Sequence, residues 1–236
     1  MNRLLRLSCR RTWCLSGVLL LAGCTSGPIP TQTIFETPHA FVRLQIDPSF
    51  RQDSGHSHPA DVSTEQMAAV LRGIMIEEPV TRLPFYDDLS IPRRHQAFTE
   101  EAVAFWAPLL RLGLNRATPE EVVTFYQSKP LAFMKREVTS GGLFLDGKKL
   151  HVVLSNYRSE TSSSADSGMA DNQDDRLTPL RSLAPQKGTL HFEPREFQVR
   201  PDDDGLAALF QWDKRELIIQ LDRLPVKSTD SPPSAP

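Results

Sequence analysis

Two histidines stand two positions apart in a short polar segment, and their spacing suits metal binding. The segment reads Gly55-His56-Ser57-His58-Pro59, with Asp53 and Asp61 close by. In an extended chain, residues i and i+2 point to the same side, so both imidazole rings can meet one zinc or copper ion. A closed zinc site needs four ligands, and no third ligand is identifiable from the sequence. His56 and His58 therefore form a metal-site hypothesis, and a polar surface loop is the alternative.

The remaining acidic and glycine-rich motifs are typical of turns and strands rather than of catalytic sites. Asp202-Asp203-Asp204-Gly205 lacks the alternating acidic spacing of a calcium loop. Ser140-Gly141-Gly142 has neither the elbow of serine hydrolases nor the lysine of a phosphate loop, and it predicts a β-bulge. The adjacent carboxylates Glu77 and Glu78 would point to opposite faces of a strand. We therefore predict no catalytic residue and no bound cofactor.

The amino-terminal segment has the charge and hydropathy of an export signal. Four arginines and no acidic residue precede Cys24, and residues 13–23 form an apolar run. The arginines are Arg3, Arg6, Arg10 and Arg11. The run has 11 residues, whereas a membrane-spanning helix needs about 20. We therefore expect a cleaved signal over residues 1–23 and no permanent transmembrane helix.

The end of this run, Leu21-Ala22-Gly23-Cys24, resembles the lipobox of bacterial lipoprotein precursors. The resemblance implies that the Cys24 sulfur receives a diacylglycerol, that cleavage precedes Cys24, and that the new amino terminus is often acylated too. Two or three acyl chains would make membrane attachment effectively stable. Thr25 stands where an aspartate marks inner-membrane retention in some bacteria, so the outer membrane is favoured. An ordinary signal peptide with a chance cysteine is the alternative.

The composition of the mature chain agrees with an anchored, acidic domain. The three cysteines are Cys9, Cys14 and Cys24, so cleavage would leave no pair for a disulfide. Cleavage would also leave 23 basic against 29 acidic residues. An acidic domain is poorly suited to nucleic acid, which relies on basic patches.

Proline and serine-rich stretches mark the expected domain boundaries. Residues 24–38 contain three prolines and predict a lipidated tether. Residues 39–226 are expected to form a single domain, interrupted by a disordered loop near 159–175. Residues 227–236 are rich in serine and proline and predict a disordered tail.

Apolar spacing predicts the elements of the domain's first half. Alternating Val42, Leu44 and Ile46 predict a half-buried strand over residues 40–47. Ser63 and Thr99 have the context of helix N-caps, and apolar residues follow each of them at helical spacing. Pro108 is expected to kink or split the second helix. The arginines before His95 are expected in a solvated loop.

The rest of the domain is predicted to be mostly β-structure. Residues 121–127 are rich in strand formers, and Asp146-Gly147 between two apolar runs predicts a hairpin. Short strands are expected over residues 189–192, 196–200, 208–212 and 217–221. The sequence thus predicts an α+β fold, with a largely antiparallel sheet, flat or curled, and two helices packed on it.

These features lead to three functional hypotheses of different classes. The first is a non-enzymatic envelope lipoprotein whose sheet binds another protein or a cell-envelope component. The second is a periplasmic metal-binding protein that uses His56 and His58. The third and lowest ranked is an envelope hydrolase, which would need a buried pair of titratable groups in one cleft.

Overall fold

The computed structural model describes residues 30–47, 55–79, 92–132, 135–162, 175–186, 188–199 and 215–224. These residues form ten strands and two α-helices. The strands are β1 (Pro30–Glu36), β2 (Ala40–Ile46), β3 (Ile74–Glu77), β4 (Arg94–Gln96), β5 (Glu121–Pro130), β6 (Lys135–Asp146), β7 (Lys149–Ser162), β8 (Thr189–Phe192), β9 (Gln198–Val199) and β10 (Glu216–Gln220). The helices are α1 (Thr64–Gly73) and α2 (Glu100–Arg116).

Seven of the strands form one antiparallel sheet in the order β1-β2-β5-β6-β7-β10-β9. A second sheet has three strands in the order β4-β3-β8, also antiparallel. Across the described strands the large sheet stays open and does not close into a barrel. The α+β class predicted from the sequence is confirmed.

Both helices begin where the sequence places their caps. Ser63 Oγ accepts a hydrogen bond from the Gln66 N–H, and the Gln66 side chain accepts one from the Ser63 N–H, which completes a capping box. Thr99 caps α2 by accepting from the Ala102 N–H. Pro108 lies within α2, which continues past it as one element rather than two. Among the described residues, neither helix is long and apolar enough to cross a membrane.

The main core lies between the large sheet and the helices. Trp106 of α2 is 1% exposed and contacts Phe125 of β5, with ring centroids 5.7 Å apart. Burying large aromatic side chains of this kind supplies much of the hydrophobic free energy of a domain. Trp106 is therefore a central residue of the main core.

The opposite face of the large sheet is also covered. Residues 175–184, which we call the strap, lie over β2, β5, β6 and β7. Beneath the strap, Arg43 and Gln45 of β2 are buried although their types suggest exposure. The prediction that residues 40–47 form a strand is confirmed, but the prediction that it is half-buried is wrong because the strap covers its polar face.

The central hairpin has the predicted turn and the predicted bulge. Asp146 pairs with Lys149, so Gly147 and Lys148 form a two-residue turn, in which Gly147 has a φ of 57°. A glycine with positive φ at the first central position is typical of tight hairpin turns. The pairing of β6 with β7 shifts register on both sides of Ser140, which is the expected bulge.

Four predicted segments differ in the structure. Residues 30–36, assigned to the tether, form edge strand β1 because they pair with β2. Residues 159–162, assigned to a disordered loop, continue β7, and Asp175 at the other end of that loop is buried. Arg94 and His95, expected in a loop, belong to β4. The segment expected as a strand from Glu196 begins instead with a short 3-10 turn over Arg195–Phe197.

Candidate binding sites

His58 is buried at a junction between the hairpin, α2 and the loop that carries the two histidines. Its Nε2 accepts a hydrogen bond from the Leu145 N–H at 3.4 Å, and the Ser57 N–H donates to the Leu145 carbonyl at 2.7 Å. The Ala60 N–H donates to the Leu114 carbonyl at the end of α2. Burial, reinforced by nearby His56, lowers the pKa of His58 to about 4. The ring is therefore neutral near pH 7 and fastens this loop to the fold.

His56 belongs to a row of three rings in contact, which also contains Phe144 and His151. Its Nε2 lies 3.0 Å from Asp47 Oδ2, and its ring centroid is 4.3 Å from that of Phe144. On the other side of Phe144, the His151 ring stacks at 4.6 Å, and His151 Nδ1 lies 2.7 Å from Glu216 Oε1. His56 and His151 thus each have a carboxylate partner, and the Phe144 ring lies between the two imidazole rings.

The two predicted metal ligands therefore have other contacts. Their ring centroids are 5.8 Å apart, nearly perpendicular, with His56 directed to Asp47 and His58 to Leu145. In the part of the chain that the structure describes, no three histidine, cysteine or acidic side chains converge in a way that could hold a metal ion. Metal binding by His56 and His58 stays a prediction, which calorimetric titration with zinc and copper would test.

An open groove lies between α1, the small sheet and the segment after β8. It has a volume of about 1310 Å³. The lining residues that matter below are Ala68, Ala69, Arg72, Met75, Arg94 and Arg195. Ala68 and Ala69 give this face of α1 a small, apolar surface, and Met75 contributes an apolar surface on β3.

The margin of the groove carries arginines held by exposed ion pairs. Arg94 of β4 pairs with Glu193, and Arg72 Nε lies 3.0 Å from Glu100 Oε2. All four of these side chains are at least 39% exposed. Exposed ion pairs of this kind contribute only about 0–1 kcal/mol, so their arginines can exchange partners at low cost.

Tyr126, Arg136 and Asp175 form a polar cluster between the large sheet and the strap. The Tyr126 hydroxyl donates to Asp175 Oδ2 at 3.1 Å, and Arg136 Nη2 donates to Asp175 Oδ1 at 2.9 Å. Burial and the adjacent carboxylate raise the pKa of Tyr126 to about 12. The Asp175 side chain is 4% exposed. Tyr126 and Asp175 do not line the groove. The envelope-hydrolase hypothesis stays a prediction.

Several predicted positions lie outside the described residues. They are Cys24 with the whole signal segment, tether residues 25–29, Asp53, loop residues 163–174, Asp202-Asp203-Asp204-Gly205, the predicted strand over 208–212 and the tail over 227–236. Of the adjacent carboxylates, Glu77 pairs with His191 of β8 at 3.3 Å. The groove arginines were not singled out from the sequence, because Arg72, Arg94 and Arg195 are far apart along the chain and follow no motif.

No protein-family model, no curated protein and no solved structure matches the chain. The site geometry is therefore the basis for the functional proposals below.

Proposed function

We propose that this protein is a lipid-anchored, non-enzymatic binding protein of the bacterial envelope, with the outer membrane favoured. Cys24 would hold it on the membrane, and the groove along α1 would take an extended segment of another envelope protein. The observation that carries the binding role is the groove itself, with its apolar floor and arginine margin.

The size and openness of the groove favour a polypeptide over a small molecule. Small-molecule sites are usually closed clefts of about 300–1,000 Å³. This groove measures about 1310 Å³ and is open to solvent along α1. An extended chain segment can lie in such a groove with apolar side chains on Ala68 and Met75.

The charges at the margin favour a partner that carries carboxylates. Arg195 is exposed, and Arg72 and Arg94 pair with exposed glutamates. A partner carboxylate can replace Glu193 on Arg94 with little net loss, because the existing pair is weak. Guanidinium groups bind carboxylates through two parallel hydrogen bonds, which also fixes the register of the segment.

Site-specific photo-crosslinking of the full chain in its membrane tests this proposal. A photoreactive amino acid at Ala69, in the groove, should give one discrete adduct with a protein whose crosslinked segment is acidic. The same probe at Lys129, exposed at the end of β5, serves as the matched control and should give none.

Charge reversal then distinguishes binding from random collision. Arg94→Glu combined with Arg195→Glu should reduce the Ala69 adduct at least tenfold while the unfolding midpoint changes little, because both positions are exposed. Equal adducts at Ala69 and Lys129, or an adduct unaffected by the charge reversal, would overturn the proposal.

A further inference from the structure

Helix α2 is apolar on every side, although one of its sides lies open to solvent. From Ala102 to Leu114 its one charged residue is Arg111. The Arg111 Nε donates to the Val62 carbonyl at 3.1 Å, which directs the guanidinium toward the loop before α1. A helix that is apolar all round is usually buried all round. The open side of α2 therefore lacks the polar residues that a solvent-exposed helix face normally has.

The open side of α2 carries Phe105, Pro108 and Leu112 in one row. Their spacing of three and four positions places them on the same face of the helix. Phe105 is 40% exposed, Pro108 and the neighbouring Ala104 are exposed, and Leu112 is half-buried. We call Ala104, Phe105, Pro108 and Leu112 the apolar face. Contiguous exposed apolar surface of this kind marks contact with a protein or a membrane.

The apolar face continues onto strand β1, from which the chain leads back to Cys24. The Phe105 ring meets the Phe35 ring of β1 edge to face, with centroids 5.3 Å apart. β1 is an edge strand of the large sheet and begins at Pro30. Five residues lie between Cys24 and Pro30. A lipid on Cys24 would therefore hold this edge of the sheet, and the apolar face next to it, at the bilayer.

A lipid surface suits the apolar face better than a second copy of the chain. The pairing of β1 with β2 shifts register at two places. Irregularities of this kind on an edge strand hinder pairing with a strand of another chain, so the sheet is poorly shaped to continue into a second copy. A bilayer requires only an apolar surface with charges at its margin. Glu101 and Arg116, both exposed, supply those charges at the two ends of the face.

We propose that the apolar face of α2 rests on the membrane, at the boundary between the lipid head groups and the acyl chains. The proposal rests on the lipid anchor proposed above and adds a second contact to it. The helix would lie in the plane of the bilayer, with Phe105 and Pro108 directed into it. The acyl chains on Cys24 supply the affinity, and the apolar face fixes the orientation of the domain on its tether.

A fluorescent label on α2 tests this contact. Ala104→Cys in the full chain is labelled with a dye, and the protein is reconstituted into vesicles of phosphatidylethanolamine and phosphatidylglycerol that contain lipids with a nitroxide on the acyl chain. The matched control is Leu177→Cys, at an exposed leucine of the strap on the opposite face of the large sheet. The nitroxide should quench the label at position 104 about threefold more strongly than the label at position 177, because only the former lies at the acyl boundary.

Replacing Pro108 tests whether the apolar character of the face is responsible. Pro108→Glu in the Ala104→Cys chain places a carboxylate at the centre of the face and should abolish the extra quenching, because a charge is costly to bury in lipid. Pro108→Ala should keep the quenching. Both substitutions introduce a better helix former at an exposed position, so thermal unfolding should show that both variants are folded.

The possible results distinguish the apolar face from the anchor. If the chain floats with the vesicles but positions 104 and 177 are quenched equally, or if Pro108→Glu changes nothing, this inference is overturned and the anchor stands. A disulfide between two Ala104→Cys chains without quenching by lipid would also overturn it, with a second copy as the occupant. A chain that does not float, or an unaltered chain that takes up the dye, would overturn the anchor and this inference together.

Discussion

A single buried imidazole joins three parts of the molecule. His58 is 6% exposed, and the loop around it bonds to the hairpin through Leu145 and to the end of α2 through Leu114. A neutral ring can accept the Leu145 N–H, whereas a protonated ring would have no free lone pair there. The loop is therefore held most firmly while His58 stays uncharged.

We expect acid to destabilise the fold through His58. The pKa is 6.5 in the absence of burial and about 4 in the fold, so the unfolded chain takes up the proton first as the pH falls. This effect lowers the free energy of unfolding. The decrease is absent above pH 6.5, grows as the pH falls, and reaches on the order of 3 kcal/mol at about pH 4. Urea unfolding at a series of pH values measures it.

Replacing His58 separates its effect from that of the acidic residues. His58→Gln keeps an acceptor for the Leu145 N–H but does not titrate, so it should lose this part of the pH dependence. His39→Gln, at an exposed position, is the matched control and should keep it. Identical acid sensitivity in the unaltered chain and in His58→Gln would show that the buried ring is not responsible.

Among the elements, the hairpin of β6 and β7 depends on close main-chain packing at its bulge. A Cβ atom added to Gly141 would lie 2.0 Å from the Val153 carbonyl oxygen and 3.1 Å from the Phe125 ring. The carbonyl belongs to the paired strand and cannot move without disturbing the ladder. Gly141 is therefore required by a close approach and not by an unusual φ.

Gly141→Ala should destabilise the protein by roughly 2–3 kcal/mol, as expected of overpacking in a rigid site. Gly147→Asn is the matched control, since nothing lies within 4 Å of an added Cβ there and asparagine tolerates a φ of 57°. It should cost less than about 1 kcal/mol. Chemical denaturation of both variants gives the comparison, and equal losses would refute the packing argument.

Local rules predicted the helix caps and the central turn but not what covers the sheet. The caps at Ser63 and Thr99 and the turn at Gly147 depend on neighbouring residues, so the sequence predicted them. Asp175 was assigned to a disordered loop because its neighbours along the chain are polar. Its partners Arg136 and Tyr126 are 39 and 49 positions away. The sequence does not predict the groove either, because its walls come from segments that are far apart along the chain. Its strands β3 and β8 pair across more than 100 residues.

At the scale of the whole molecule, attachment to the membrane is predicted to depend on Cys24 alone. Cys24→Ser should move the protein from the membrane fraction to the soluble fraction, because acyl chains supply the affinity that an acidic domain lacks. Cys14→Ser, within the predicted signal, should leave the distribution unchanged. Fractionation followed by metabolic labelling with a radioactive fatty acid would check both. Labelled, membrane-bound Cys24→Ser protein would exclude this anchor.

The position of β1 limits how far a lipid-anchored domain can stand from the membrane. β1 begins at Pro30, so only residues 25–29 separate Cys24 from the edge of the sheet. Fully extended, this stretch spans at most about 20 Å. With its lipid in the bilayer, the domain would stay beside the head groups. A partner for the groove would have to come to the membrane surface, and one fixed deep in the periplasm would remain beyond reach.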